Sequence, residues 1–266
     1  MKIDILTLFP DMFGGVFDQS MVKIARSRGI ADIKIHDLRE WTNDRHRTAD
    51  DKPYGGGPGM VLKVEPVHKA LITLRKENTY VILLTPQGKK YDQDQARSIS
   101  EKEHVVIVCG HYEGFDERIR SLVDGEISIG DYVLTCGEIP AMVLCDSVIR
   151  LIPGVLGDEG CLNEESFEGG KLEYPQYTRP AEYHGQKVPE VLLCGDPKKI
   201  SIWQKEQAEI RTKERRPDLL VDDRPWIEID RCANLEEKVN VRGRRHCEER
   251  RDEAISPCKM VRRGKR

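Results

Sequence analysis

Tyr80-Val81-Ile82-Leu83-Leu84-Thr85-Pro86-Gln87-Gly88 and, beyond a polar stretch, His104-Val105-Val106-Ile107-Val108-Cys109-Gly110-His111-Tyr112-Glu113-Gly114 are two short apolar runs, each emptying into a glycine-bearing loop. Neither run alternates apolar with polar side chains, so a strand made from either must be covered on both faces. The middle of a parallel sheet with helices on either side meets that demand. The polar segment from Asp92 to about Glu101 reads as the helix between them.

Outward from these strands the pattern repeats. Ile3, Ile5, Leu6 and Leu8 begin a first strand, and Pro10-Asp11 opens a helix expected to run to about Arg28 and stop at Gly29. Ile33 and Ile35 alternate in a second strand. Pro66 starts a helix with Val67, Leu71 and Leu74 on one face. A third loop, Ser128 to Glu138, precedes a helix expected from Ile139 to about Ile152 with Pro140 in its first turn. In open α/β sheets, ligands bind beyond the carboxyl ends of the strands, so three such loops predict a pocket. Residues 153–170 are rich in glycine and acid and read as an interdomain linker. A small second domain should follow, built on a helix from Asp196 as N-cap through Pro197 to about Arg215, with Ile200, Trp203, Gln207 and Ile210 along one side.

Residues 44–60 hold Asp44-Arg45-His46-Arg47-Thr48, then Asp50-Asp51-Lys52, then Pro53-Tyr54-Gly55-Gly56-Gly57-Pro58-Gly59-Met60. A backbone this free, pinned at two prolines, suits a loop lying close against a ligand or polyphosphate. A connector between two elements is the alternative. The charged residues beside the glycines favour the ligand loop.

The 266-residue chain is long enough for one large domain or two modest ones, and its 38% hydrophobic and 33% charged content describes a soluble globular protein. No apolar run approaches a membrane span, and Asp4 sits where a signal peptide needs apolar residues, so the expected compartment is the cytoplasm. Eight cysteines occur without a Cys-x-x-Cys pair, so neither a zinc site nor a disulfide framework is spelled out. Gly-x-Gly-x-x-Gly, the phosphate-binding Gly-x-x-x-x-Gly-Lys-Ser/Thr and His-Glu-x-x-His are absent as well. The formal charge of −3 hides a split: residues 242–266 carry ten Lys/Arg against four Asp/Glu, a net +6, which leaves −9 for the rest. Such a tail holds phosphates without sequence preference, or is a solvated disordered end, which its low apolar content favours.

Leu8-Phe9-Pro10-Asp11-Met12-Phe13, Asp44 to Thr48, Pro53 to Met60, Gly110 to Gly114, Ser128 to Leu134 and Tyr174-Pro175-Gln176-Tyr177-Thr178-Arg179-Pro180 together closely resemble the bacterial tRNA (guanine-N1)-methyltransferases, the TrmD family of the SPOUT superfamily. The likeness runs over about residues 1–220 and fades beyond Leu220. It implies an α/β fold with a deep trefoil knot and a small, mainly helical C-terminal domain. The implied organisation is a knotted donor-binding domain over 1–152, a flexible linker over 153–170, a helical tRNA-binding domain over 171–220, and a divergent basic tail over 221–266. The resemblance further implies methyl transfer from S-adenosylmethionine to N1 of the guanosine just 3′ of the anticodon, by a homodimer whose sites combine both subunits. On this sequence the donor would be held by Thr85, Pro86, Gly110, Glu113, Ile129, Gly130, Asp131, Tyr132, Val133, Leu134 and Gly137. A dependence on magnesium leaves no mark that the sequence reveals.

The chemistry asks for the same groups. Guanine N1 carries a proton at neutral pH, so its methylation needs a base and a cation near O6 for the developing charge. The family's linker aspartate aligns with Glu165, a departure that keeps the carboxylate and adds a methylene; Glu164 is its rival, and solvated linker acids are the bland alternative. The family arginine aligns with Arg150, where a helix C-terminal cation is also a sufficient role. Arg45, His46, Arg47, Lys52 and Arg179 are the expected contacts to the tRNA anticodon stem-loop, with Tyr112, Tyr174 and Tyr177 able to stack on bases or to serve as ordinary buried tyrosines. Two competing functions stay open: a knotted methyltransferase for another RNA site, and a non-catalytic RNA-binding relative. The linker and second domain argue against the first, and the departure at Glu165 keeps the second alive.

Overall fold

The computed structural model describes residues 1–157 and 165–220, all within one compact unit. Glu164 and the tail over 221–266 lie outside the described residues. The amino-terminal half comprises β1 (Lys2–Thr7), α1 (Gly14–Phe17), α2 (Ser20–Ser27), β2 (Asp32–Asp37), the short pair β3 (Asp50–Asp51) and β4 (Val61–Leu62), α3 (Val64–Leu74), β5 (Thr79–Lys90) and α4 (Gln93–Ser100). Then come β6 (His104–Cys109), β7 (Gly125–Ser128), α5 (Glu138–Ile149), the hairpin β8 (Glu182–Tyr183) and β9 (Gln186–Lys187), α6 (Glu190–Leu193) and α7 (Pro197–Arg215).

Five strands form a parallel sheet in the order β2-β1-β6-β5-β7. All six residues of β6 are buried, as a strand without alternation requires. Ile5, Ile82 and Ile107 pack on one side with Phe13, Phe17, Leu144 and Val148; Leu6, Leu83 and Val106 pack on the other with Val67 and Leu71 of α3. Each fully buried aliphatic side chain contributes about 1.5–3 kcal/mol.

Four expectations are corrected. The single helix from Pro10 to Arg28 is broken into a 3-10 turn over Pro10–Phe13, the one-turn α1 and α2, because Ser20 takes a left-handed φ of 51°. Arg26 ties the break, donating to the Phe17 carbonyl at 3.1 Å and to Asp18 at 2.9 Å. β5 continues past Leu84 to Lys90, with its register against β7 shifting between Leu84 and Lys89. β7 itself went unrecognised, since four residues around one buried isoleucine are too few to show a period. Along the α7 stripe Ile200, Trp203 and Gln207 are half-buried and Ile210 is exposed, while Thr212, off that stripe, alone is buried, because the chain at Leu172 donates its amide to Thr212 Oγ1 at 2.9 Å. The expected cap does form, Asp196 accepting from the Lys198 amide at 3.0 Å.

Within the sheet, Asp4 is fully buried and accepts from Lys2 Nζ at 2.6 Å, His36 Nε2 at 2.7 Å and His104 Nε2 at 2.7 Å. Burial alone would raise its carboxyl, but these three donors prevail and hold it well below the usual carboxylate range. Asp4→Asn should therefore cost about 3 kcal/mol at pH 7, the usual scale for removing one member of a buried charged cluster. A depressed carboxyl stabilises the fold above its unfolded value, roughly pH 4, and loses that contribution as the pH falls through the folded value. Urea unfolding of both proteins should show the gap narrowing below about pH 4; a gap independent of pH would contradict this account.

Candidate active site

β6, β5 and β7 are neighbours, so their carboxyl-end loops meet at one edge of the sheet. A cavity of about 390 Å³ lies there, within the range of small-molecule sites. Every residue expected to hold the donor lines it except Asp131, which faces Lys90 Nζ at 3.5 Å. Sequence reasoning passed over Phe115, Glu117, Arg120 and Pro140, which also line it. Arg120 lies on a 3-10 turn with no sequence signature; it pairs with Glu117 Oε2 at 2.9 Å and with Glu126, donates to Gln87, and stacks over Phe115. It thereby joins the outer half of β5 and the start of β7 to the turn after β6.

The cavity wall depends on close main-chain approach. The Gly137 amide donates to the Gly110 carbonyl at 2.7 Å, and a Cβ on Gly137 would sit 2.6 Å from the Gly110 nitrogen and 2.9 Å from Cys109 Cα. Only glycine seats the start of α5 against the end of β6. In the glycine run seen in sequence, Gly59, at φ 82°, lies against the Glu113 side chain, where a Cβ would meet its Cγ at 2.3 Å. Met60 accepts from the Glu113 amide at 3.1 Å, so this loop rests on the loop after β6. Tyr112 there holds a left-handed φ of 60° and is exposed, and His111 Nδ1 is buried without a partner. A strained, incompletely paired loop beside a cavity is a candidate ligand contact.

Arg150 caps the far end of α5, where it grips Glu165 with both guanidinium nitrogens, at 2.7 and 2.5 Å. The fork holds the Glu165 carboxyl below, and the arginine above, their ordinary values, each owing most to this hydrogen bonding. Glu165 thus stays ionised at neutral pH. Neither residue lines the cavity. Arg45, His46, Arg47 and Lys52 are all exposed; the first three occupy a turn that Asp44 closes by accepting from the Thr48 hydroxyl at 2.7 Å. Arg179 is exposed on the separate segment before β8, as is Tyr177, while Tyr174 is half-buried. No cluster of His, Cys, Asp or Glu able to hold a metal ion occurs among the described residues.

The family described as tRNA (Guanine-1)-methyltransferase TrmD matches residues 1–222. The chain belongs to this family. Proteins called tRNA (guanine-N(1)-)-methyltransferase resemble it over most of its length: that of Carboxydothermus hydrogenoformans is 58% identical over 221 residues, 83% of this chain and 87% of the relative. That of Dictyoglomus turgidum is 54% identical over 220 residues, 83% and 90% of the two chains. The Syntrophomonas wolfei protein is 52% identical over 238 residues, 90% and 94%. Membership of the TrmD family implies S-adenosylmethionine as methyl donor, and the cavity fits it in size, in its glycine-lined main chain and in its acidic rim of Glu113 and Glu117.

Gly137→Ala tests the wall. The added methyl should destabilise the protein by about 1–3 kcal/mol, the usual cost of overpacking, and remove most of the upward shift in unfolding temperature that excess S-adenosylmethionine produces in the unaltered protein. Equal ligand shifts in the two proteins would show that the Gly110–Gly137 contact is not part of the donor site.

Proposed function

We propose that the protein methylates N1 of the guanosine just 3′ of the anticodon in tRNA, taking the methyl group from S-adenosylmethionine. The observation that carries this reading is the convergence, in a chain of this family, of the expected donor residues on one cavity. The methyl carbon passes from sulfur to N1, the electron pair of the broken bond stays on sulfur as a neutral thioether, and the N1 proton goes to Glu165. Arg150, already aligned with Glu165, faces O6 and the charge that develops there. Arg45, His46, Arg47, Lys52 and Arg179, all exposed cations or near-cations, supply phosphate and base contacts. The trefoil knot, the division at 152, 170 and 220, and a cytoplasmic setting belong to the same proposal; the tight seating of α5 on the end of β6 is what a threaded chain would need, and no helix among the described residues is long and apolar enough to cross a membrane.

Assembly as a homodimer completes the site. α5 has 12 residues, about 18 Å at the usual rise per residue. Its first turn walls the cavity and its last residue carries the Arg150–Glu165 pair, so base and donor of one chain stand at opposite ends of a helix. A second copy can bring its pair to the first copy's cavity. Ile139 and Val143, exposed along α5, and Leu193 and Ile202 beyond it are apolar surfaces that a second copy would cover.

Labelled donor and undermodified tRNA should give 1-methylguanosine on nucleoside analysis, and Glu165→Gln should lower the single-turnover rate by about 10²–10⁴-fold with donor binding retained. Full activity of Glu165→Gln would place the base elsewhere, Glu164 being next in line.

Because Arg150 and Glu165 meet within one chain, a mixing test must separate the pair from the cavity. Heterodimers of a Gly137→Ala chain with a Glu165→Gln chain should recover activity at the one site that combines an intact cavity with an intact pair. Activity no greater than that of either variant alone, in verified heterodimers, would reject the shared site.

A further inference from the structure

Glu138, the first residue of α5, is completely buried. Its Oε1 accepts from the Thr7 hydroxyl at 2.5 Å, and Thr7 Oγ1 accepts in turn from the Phe9 amide at 2.9 Å. Its Oε2 has no hydrogen-bond partner. A buried carboxylate oxygen left unpaired opposes folding, so its presence in a native fold calls for a reason. The cavity is next to it: Cys136 and Gly137 before it and Pro140 after it all line the wall. The end of β6 is close by: a Cβ on Gly137, the residue before Glu138, would meet Cys109 Cα at 2.9 Å. The positive end of the α5 dipole and the Thr7 hydroxyl both face the negative charge. Glu113 and Glu117 also line the cavity, but they are exposed and screened by water and salt.

The geometry points to Glu138 as the residue by which the donor cavity distinguishes a sulfonium cation from the neutral thioether left after methyl transfer. This rests on the cavity being the S-adenosylmethionine site. Donor and product differ by one methyl group and one positive charge on sulfur, so an uncharged wall has little with which to tell them apart. A negative charge behind an apolar wall, where screening is weak, attracts the cation and loses its hold once the charge has left. The same group that draws in the donor then speeds clearance of the product, and the free Oε2 is what leaves its field uncancelled.

Titration calorimetry of the full chain with S-adenosylmethionine and with S-adenosylhomocysteine, at low and high salt, tests this. Glu138→Gln should weaken the sulfonium ligand at least tenfold more than the thioether, with the change in their ratio insensitive to salt. Glu138→Asp, which keeps the charge, should preserve most of the ratio. Should the glutamine variant fail to fold, the double variant Thr7→Val/Glu138→Leu removes both polar partners together and permits the same comparison. Equal weakening of the two ligands, or of neither, would overturn the assignment and leave Glu138 a structural tie between β1 and α5. If the unaltered protein binds neither ligand, the donor-site reading fails and this inference fails with it.

Discussion

The contact between Gly137 and the end of β6 governs most of what lies around it. Because no side chain fits between them, the main chain entering α5 is pressed against Gly110, and the loop from Ser128 to Gly137 must curl over the carboxyl ends of β5, β6 and β7. That curl makes the cavity. It also buries Glu138 beside Thr7 and aims α5 away from the sheet edge, so that Arg150 emerges at the other end of the helix. The cavity, the buried carboxyl group behind its wall and the distant ion pair are three consequences of one close approach.

The Arg150–Glu165 pair is the second organising interaction. A carboxylate held in a bidentate fork is ionised and fixed in direction, which suits the proposed role of accepting a proton from a planar base. The fork also lowers the basicity of Glu165, so in the proposed mechanism proton acceptance would have to be coupled to the charge that Arg150 would meet at O6. Glu165, with one methylene more than an aspartate, reaches an arginine in its own chain. Charge and geometry are then set by the pair, and the length of either side chain matters less than their mutual alignment.

Parallel-sheet character was legible in the sequence because strands covered on both faces cannot alternate, and β6 matched its apolar run residue for residue. The stop at Gly29, the helix over Gln93–Ser100 and the cap at Asp196 were equally local, each decided by one residue's backbone preference or side-chain oxygen. The long helix after Pro10 was misread because the left-handed φ of Ser20 interrupts a pattern that periodicity alone continues. β7 escaped notice because its hydrogen bonds to β5, not its own composition, make it a strand.

For the site, the sequence by itself determined which loops follow the buried strands, which glycines crowd together and which charged residues accompany them; Gly110 to Gly114 and Ser128 to Leu134, two of the motifs that carry the family resemblance, lie at the ends of those strands. Only the tertiary structure decided that the glycine run rests on the loop after β6, that Asp131 turns away to Lys90, that Arg120 ties the turn after β6 to β5 and β7, and that Arg150 and Glu165 meet within one chain. The physical reason is the same in each case. Backbone freedom and charge are properties of single residues, readable one at a time, whereas burial and pairing are properties of two segments that the chain brings together only when the sheet closes. Glu138 shows the limit most plainly: nothing in Cys-Gly-Glu-Ile-Pro marks its acid as buried, and it becomes so because β1 ends with a hydroxyl at the one place where α5 begins.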